Sequence, residues 1–508
     1  MKKYVIGIIV VVLAWSLCFV LLSGAQENRK DEGVGLTIYS APAQGEGYQP
    51  YVQQYIDGRY IQLPNGYAIV KEWRKLNLKQ GENVLKFQDV AKFISPSTVH
   101  FKSLTDPLAT YVVEQNYEYD LVSREKLLEK YIDREIILEQ EKDKKVERQK
   151  GILLSAQNGV VVKVGDEIQL NPLGQIILPE LPEGLITRPT LVWLIEAAKG
   201  GTHLTKVTYE TKGIMWTADY TAVVKNNDTA VDLSGWVTID NKSGATYKNA
   251  ELKLVAGDVN RVTTPAQMYK TMRSDVMAEK AAGYQGFEEK AFFEYHLYTL
   301  GRPSTLNDNS QKQIELFKSA LDVPAKKIMV YYGRPEGGYY YSDSPQMDRN
   351  LGTSANKKID IYITFKNDKK SGLAIPLPSG KVRVYKEDPA DGSLEFIGED
   401  RIDHTPKDEE VMLKLGSAFD VVGERKQTDF KVDYDRHWMS ESFEITLRNH
   451  KEEDVEVIVK ENLFRWVNWK ITNNSNKYEK IDARTVHFPV KVPKGQEVKV
   501  NYTVNYTW

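Results

Sequence analysis

Ile359-Asp360-Ile361-Tyr362-Ile363-Thr364-Phe365 places an apolar residue at every second position, and that spacing decides the fold class. A strand turns successive side chains to opposite faces, so a period of two marks a strand with one buried face; a helix would repeat every three to four residues. The alternation returns at Val411, Leu413 and Leu415, at Phe430, Val432 and Tyr434, at Phe443, Ile445 and Leu447, and at Val455, Val457 and Val459. It closes the chain at Val498, Val500, Tyr502, Val504, Tyr506 and Trp508. This many half-buried strands in succession predict a C-terminal β-sandwich-type domain over residues 291–508. A terminal aromatic on an alternating strand also occurs in membrane β-barrels, but a barrel needs such strands throughout.

Upstream, residues 265–290 carry Met268, Met272, Met277, Ala278, Ala281 and Ala282 and read as a helical or irregular insertion. Residues 153–264 form a further β domain. In it the turn Lys225-Asn226-Asn227-Asp228 joins two strands, and a third follows Asn241-Lys242-Ser243-Gly244, so a three-strand meander is the simplest topology. Residues 119–152 lack Gly and Pro from Asp120 to Lys150 and are dense in Leu, Ile, Glu and Lys, which predicts a helical spacer. Residues 51–118 read as an N-terminal β domain and residues 26–50 as a flexible lead-in rich in Gly, Ala, Pro and Gln. The chain of 508 residues is thus expected to be mainly β and multi-domain: an N-terminal β domain, a helical spacer, and C-terminal β-sandwich-type domains.

Met1-Lys2-Lys3, an apolar run from Tyr4 to Leu22 and then Ser23-Gly24-Ala25 have the order of a secretory signal. Residues 1–25 are therefore expected to act as a cleaved signal or as a membrane anchor, which makes the protein extracytoplasmic, either secreted or held by residues 4–22. The single cysteine, Cys18, lies inside that run. Cleavage would leave a chain without disulfides, thiol catalysis or thiolate metal sites. The formal charge of −2 offers no basic excess for nucleic acid. The balance of 41% hydrophobic and 27% charged residues is that of a globular protein.

Chemistry-bearing motifs are sparse. The seven histidines are dispersed without metal-ligand spacing, and neither a phosphate loop nor a nucleophile elbow is present, so no metal or cofactor is expected. The densest polar stretch, residues 399–410, offers Glu399, Asp403 and His404 for acid–base work, although such a segment between strands is ordinarily solvated. Trp216 and Trp236 sit in strands and are expected in the core, and the spacing of Trp466 and Trp469 would turn their rings to opposite faces of a strand. Tyr331, Tyr332, Tyr339, Tyr340 and Tyr341 flank a Gly-rich loop and, with Trp438, are the candidates for an exposed contact surface.

Trp216-Thr217-Ala218-Asp219-Tyr220, Gly235-Trp236-Val237-Thr238-Ile239-Asp240-Asn241 and Asn249 through Val259 occur in order, followed by Phe293 through Tyr298, Leu306 through Ser310, Leu377 through Tyr385 and Leu415 through Val421. Over residues 190–508 this series resembles an uncharacterised family of exported proteins whose C-terminal part is known as domain of unknown function 4139, some members being labelled mucoidy inhibitor A. The resemblance implies architecture and no reaction. The expectation is a non-enzymatic structural or interaction protein of the cell envelope, with an envelope protein or polysaccharide as partner. The alternatives are a carbohydrate-binding protein using exposed aromatics, or a hydrolase.

Overall fold

The computed structural model describes residues 31–508 except 41–48, 57–58, 119–121, 143–144, 158, 183, 226–227, 258, 260–286, 293–294 and 334–342. Residues 1–25, most of the expected insertion at 265–290, and Tyr339, Tyr340 and Tyr341 lie outside the described residues. The protein is mainly β, with several sheets in multiple domains. Among the described residues no helix is long and apolar enough to cross a membrane.

Two very long strands organise the C-terminal part. Ser310–Tyr332 runs for 23 residues and Glu410–Asp433 for 24. The first pairs with Ala230–Asn241 as far as Pro324, then with Lys358–Lys366 from Ala325 onward. The second pairs with Lys358–Lys366 up to Val422 and with Trp438–Asn449 from Val421. Each strand therefore leaves one hydrophobic core and enters another. The alternating stretch that decides the fold does the same: Ile359 is buried in the C-terminal core with Phe443, Val457 and Phe488, while Ile363 and Phe365 are buried in the larger one. A register irregularity at Ile361 and Tyr362 lets one strand serve both.

The larger core lies beneath an eight-stranded sheet in which Gly33–Tyr39 pairs parallel with Tyr247–Ala256 and antiparallel with Tyr67–Leu78. The expected flexible lead-in thus contributes a central strand, because Leu36 and Ile38 alternate inward and are fully covered. Gly35 has a packing role: the Trp73 ring lies so close that an added Cβ would sit 3.3 Å from it. A three-stranded sheet of Gly81–Gln88, Thr190–Ala197 and Thr110–Glu118 closes this core through Trp193, whose ring lies tilted against Phe87 at 4.8 Å and meets Phe101 edge-on.

The expected helical spacer at 119–152 is corrected by the structure. Among its described residues only Arg124–Lys130 is α-helical; Glu135–Lys142 and Lys145–Ser155 form an antiparallel hairpin within a five-stranded sheet. Helix propensity is overridden here by tertiary packing. Ile136 and Leu138 alternate into a small core with Leu128, Tyr131, Leu153 and Val162. The charges that suggested a helix surface pair across the hairpin instead, Arg148 with the directly opposed Glu139 at 2.6 Å and Lys150 diagonally with Glu135 at 2.7 Å.

The expected three-strand meander is half realised. Ile214–Val224 and Ala230–Asn241 pair as a hairpin, but Tyr247–Ala256 crosses to the facing sheet. Asn241 makes the corner: its Nδ2 donates to the carbonyls of Ala245 and Asn307, both at 2.9 Å, and its Oδ1 accepts the Ser243 amide. Asn367 and Asn449 repeat the device at the ends of their strands, donating to the carbonyls of Ile375 and Pro406 and of Glu453 and Val492. All three asparagines are buried, so each satisfies loop carbonyls that water does not reach.

Asp228 ties the other end of the hairpin to two strands, pairing with Lys327 and Lys386. Partial burial raises its pKa, but the hydrogen bonds and charges of the two lysines outweigh that and hold the carboxyl below its ordinary value. A depressed folded-state pKa contributes stability above the unfolded value, near 4, that is lost as pH falls through the folded value. Asp228→Asn is expected to lower stability by about 1 kcal/mol at neutral pH, with the difference from wild type vanishing towards pH 2. Urea titrations of both proteins across that range check it, and a difference independent of pH would remove the charge from the account.

Candidate functional site

The residues singled out from sequence do not converge. Glu399 faces Lys381 at 3.1 Å and Arg383 at 3.8 Å on the strand Leu394–Ile402. Asp403 is exposed in the turn that follows. His404 accepts the Ser379 amide on Nδ1 at 3.1 Å, beside the bridge of Leu377 with Thr405. Glu399 is thus engaged in ion pairs across its sheet and His404 in holding a backbone amide. Among the described residues no three His, Cys, Asp or Glu side chains gather in a way that would hold a metal ion.

The aromatic candidates divide. Tyr331, expected on an exposed surface, is fully buried in the C-terminal core. It continues the inward phase of Met329 in a strand flanked on both sides, by Ile359 antiparallel and Val459 parallel. Tyr332 points the other way and is half-buried, with Lys460 over its ring at 4.9 Å and its hydroxyl 3.2 Å from that of Tyr362. Trp438 is half-buried at the start of its strand. Trp216 is in the core, whereas Trp236, expected there too, is 42% exposed, since its neighbours Gly235 and Val237 take the inward phase. Trp466 and Trp469 both pack against the C-terminal core; Trp466 precedes the strand Trp469–Asn474, so strand alternation does not apply between them.

Two buried ion pairs stand in the C-terminal core. Arg465 binds Glu441 in a fork, Nε to Oε2 and Nη2 to Oε1, both at 2.7 Å, and both side chains are essentially without exposure. Arg425 binds Glu461 at 3.0–3.1 Å, and the Tyr502 hydroxyl donates to the same carboxylate at 2.5 Å. Burial, reinforced by Glu461, pushes the Tyr502 phenol far above its ordinary value. The guanidinium groups lie over Phe443 and Phe430. Their remaining donors reach the carbonyls of a strap that crosses the sheet end: Arg465 to Gln346 and Asp348, Arg425 to Gly352. Gly352 is required there, because a Cβ would lie 1.9 Å from Glu441 Oε1. The cluster clamps backbone to core.

A concave site appears elsewhere. On the outward face of the eight-stranded sheet a groove of about 420 Å3 is lined by Gly35, Thr37, Lys71, Trp73, Lys206, Glu251 and Lys253, with Leu36 at its floor. Four strands build it. Gly35 is opposite both Lys71 and Glu251, Thr37 is opposite Lys253, and Trp73 is opposite Lys206. The Lys206 ammonium stands 5.6 Å from the Trp73 ring centre. Lys71, Lys206 and Lys253 come from distant parts of the chain, each in an ordinary alternating strand, and only the register joins them.

The family described as domain of unknown function (DUF4139) matches residues 205–508, more than half of the chain. The match takes in both long strands, the C-terminal core and the groove residues Lys206, Glu251 and Lys253. No curated protein matches the sequence.

Proposed function

We propose, on the premise that the chain belongs to the DUF4139 family, that it serves as a rigid structural or interaction module of the cell envelope. The observation that carries this reading is the pair of strands Ser310–Tyr332 and Glu410–Asp433, which run unbroken from one core into the next. Domains joined by a peptide linker move independently; cores that share hydrogen-bonded strands are held in one orientation. The strap clamped by Arg425 and Arg465 stiffens the distal end. The proposal of export rests on the order of charge, apolar run and small residues in Met1–Ala25. A partner would be an envelope protein or polysaccharide. The full chain in intact cells should be labelled by a membrane-impermeant amine reagent and cross-linked to a discrete envelope partner. Labelling that requires lysis, or cross-linking that yields the chain alone, would overturn the proposal.

A further inference from the structure

The outward face of the eight-stranded sheet gathers lysines from four strands. Lys102 and Lys206 are directly opposed across His100–Ser103 and Gly201–Lys212, a placement in which like charges destabilise. Beyond Lys206 the groove adds Lys71 and Lys253 against the single carboxylate of Glu251. A protein of net charge −2 thus gathers cations around its concave outward face, where low-dielectric walls concentrate their field. The floor is shaped to match: Gly35 lets Trp73 lie against the backbone, and Thr37, opposite Lys253, is part of the lining.

We propose that this groove binds a small anion-bearing ligand, its carboxylate or phosphate group held by Lys71, Lys206 and Lys253, with Thr37 donating and Glu251 accepting a hydroxyl of the same ligand. The volume is that of a small-molecule site. Ammonium groups hold either anion as point charges, so carboxylate and phosphate share the recognition chemistry and binding separates them. The site is independent of the structural role proposed above: that role fails on cellular labelling and partner capture, this one on binding by the purified chain.

The test is calorimetric titration of the purified full chain with inorganic phosphate, with glucuronate and with neutral glucose, at low and moderate salt. Saturable binding of phosphate or glucuronate that weakens with salt and falls about tenfold or more in Lys71→Gln/Lys206→Gln/Lys253→Gln is expected. The exposed triple Lys163→Gln/Lys470→Gln/Lys491→Gln should bind as wild type does. A cooperative thermal melt of the groove triple establishes that it folds before its binding is read. If it does not fold, Lys253→Gln alone should weaken binding several-fold. Preference for glucuronate identifies a carboxylate ligand and preference for phosphate a phosphorylated one. No saturable binding of either, glucose binding as tightly, or full binding by the folded groove variant would overturn the proposal.

Discussion

Replacing Arg465 with alanine is expected to cost about 3–5 kcal/mol, the penalty for breaking a fully buried ion pair by removing one partner. Glu441, 1% exposed with Arg465 itself at 0%, would be left with Gln427 at 2.7 Å as its neighbouring donor. The carbonyls of Gln346 and Asp348 would lose the donor that replaces water for them. Because a domain holds only about 5–15 kcal/mol in total, this one change should consume a large part of the stability of the C-terminal core. Removing both charges together, as Arg465→Met/Glu441→Leu, should recover much of the loss, since an apolar pair of similar volume avoids the stranded carboxylate. Full recovery is not expected, because the strap carbonyls remain without a donor at about 1 kcal/mol each. Urea unfolding followed by tryptophan fluorescence measures the loss, and hydrogen exchange over residues 344–356 locates it. A cost below 1 kcal/mol for Arg465→Ala would mean that Glu441 is hydrated and that the clamp contributes little.

That cluster was half visible in the sequence. Glu441 stands in phase with Phe443, Ile445 and Leu447, and Glu461 in phase with Val455, Val457 and Val459; a charge that continues the inward phase of a strand must find a buried partner. Arg425 likewise follows Val421 and Gly423 inward. Which arginine meets which glutamate was not visible, because the partners stand 24 and 36 residues apart in sequence. The alternation of Val500, Tyr502, Val504 and Tyr506 was read correctly because each position has one buried face. The hairpin at 135–155 was misread because its lysines and glutamates are good helix formers, and nothing local to Glu139 announces that Arg148 will lie across from it. The groove was the least legible. Lys71, Lys206 and Lys253 each occupy an unremarkable outward position, and their convergence depends on the register of four strands, including the parallel pairing of Gly33–Tyr39 with Tyr247–Ala256 across more than 200 residues, which no local pattern encodes.

Tyr331→Ala is expected to cost about 3–5 kcal/mol, as for other large aromatic side chains removed from a core. The ring is fully buried, its hydroxyl donates to the Asn356 carbonyl at 2.5 Å, and Gly423 leaves the space it fills, since a Cβ there would come within 2.2 Å of the ring. Tyr331→Phe keeps the packing and forfeits the hydrogen bond, for about 1 kcal/mol. Gly423→Ala should cost about 1–3 kcal/mol by overpacking the same site. The adjacent Tyr332→Ala, on the half-buried face, should cost less than Tyr331→Ala because its ring already meets solvent. This ordering distinguishes the two faces of one strand, and denaturant midpoints of the four variants would establish it. If Tyr331→Ala changed stability by less than about 0.5 kcal/mol, the range of ordinary surface substitutions, the ring would face solvent and a role in an aromatic contact surface would stand again. With the expected loss, Tyr331 is an anchor where the long strand Ser310–Tyr332 enters the second core, and any binding defect in Tyr331→Ala would report the collapse of that junction rather than a lost ligand contact.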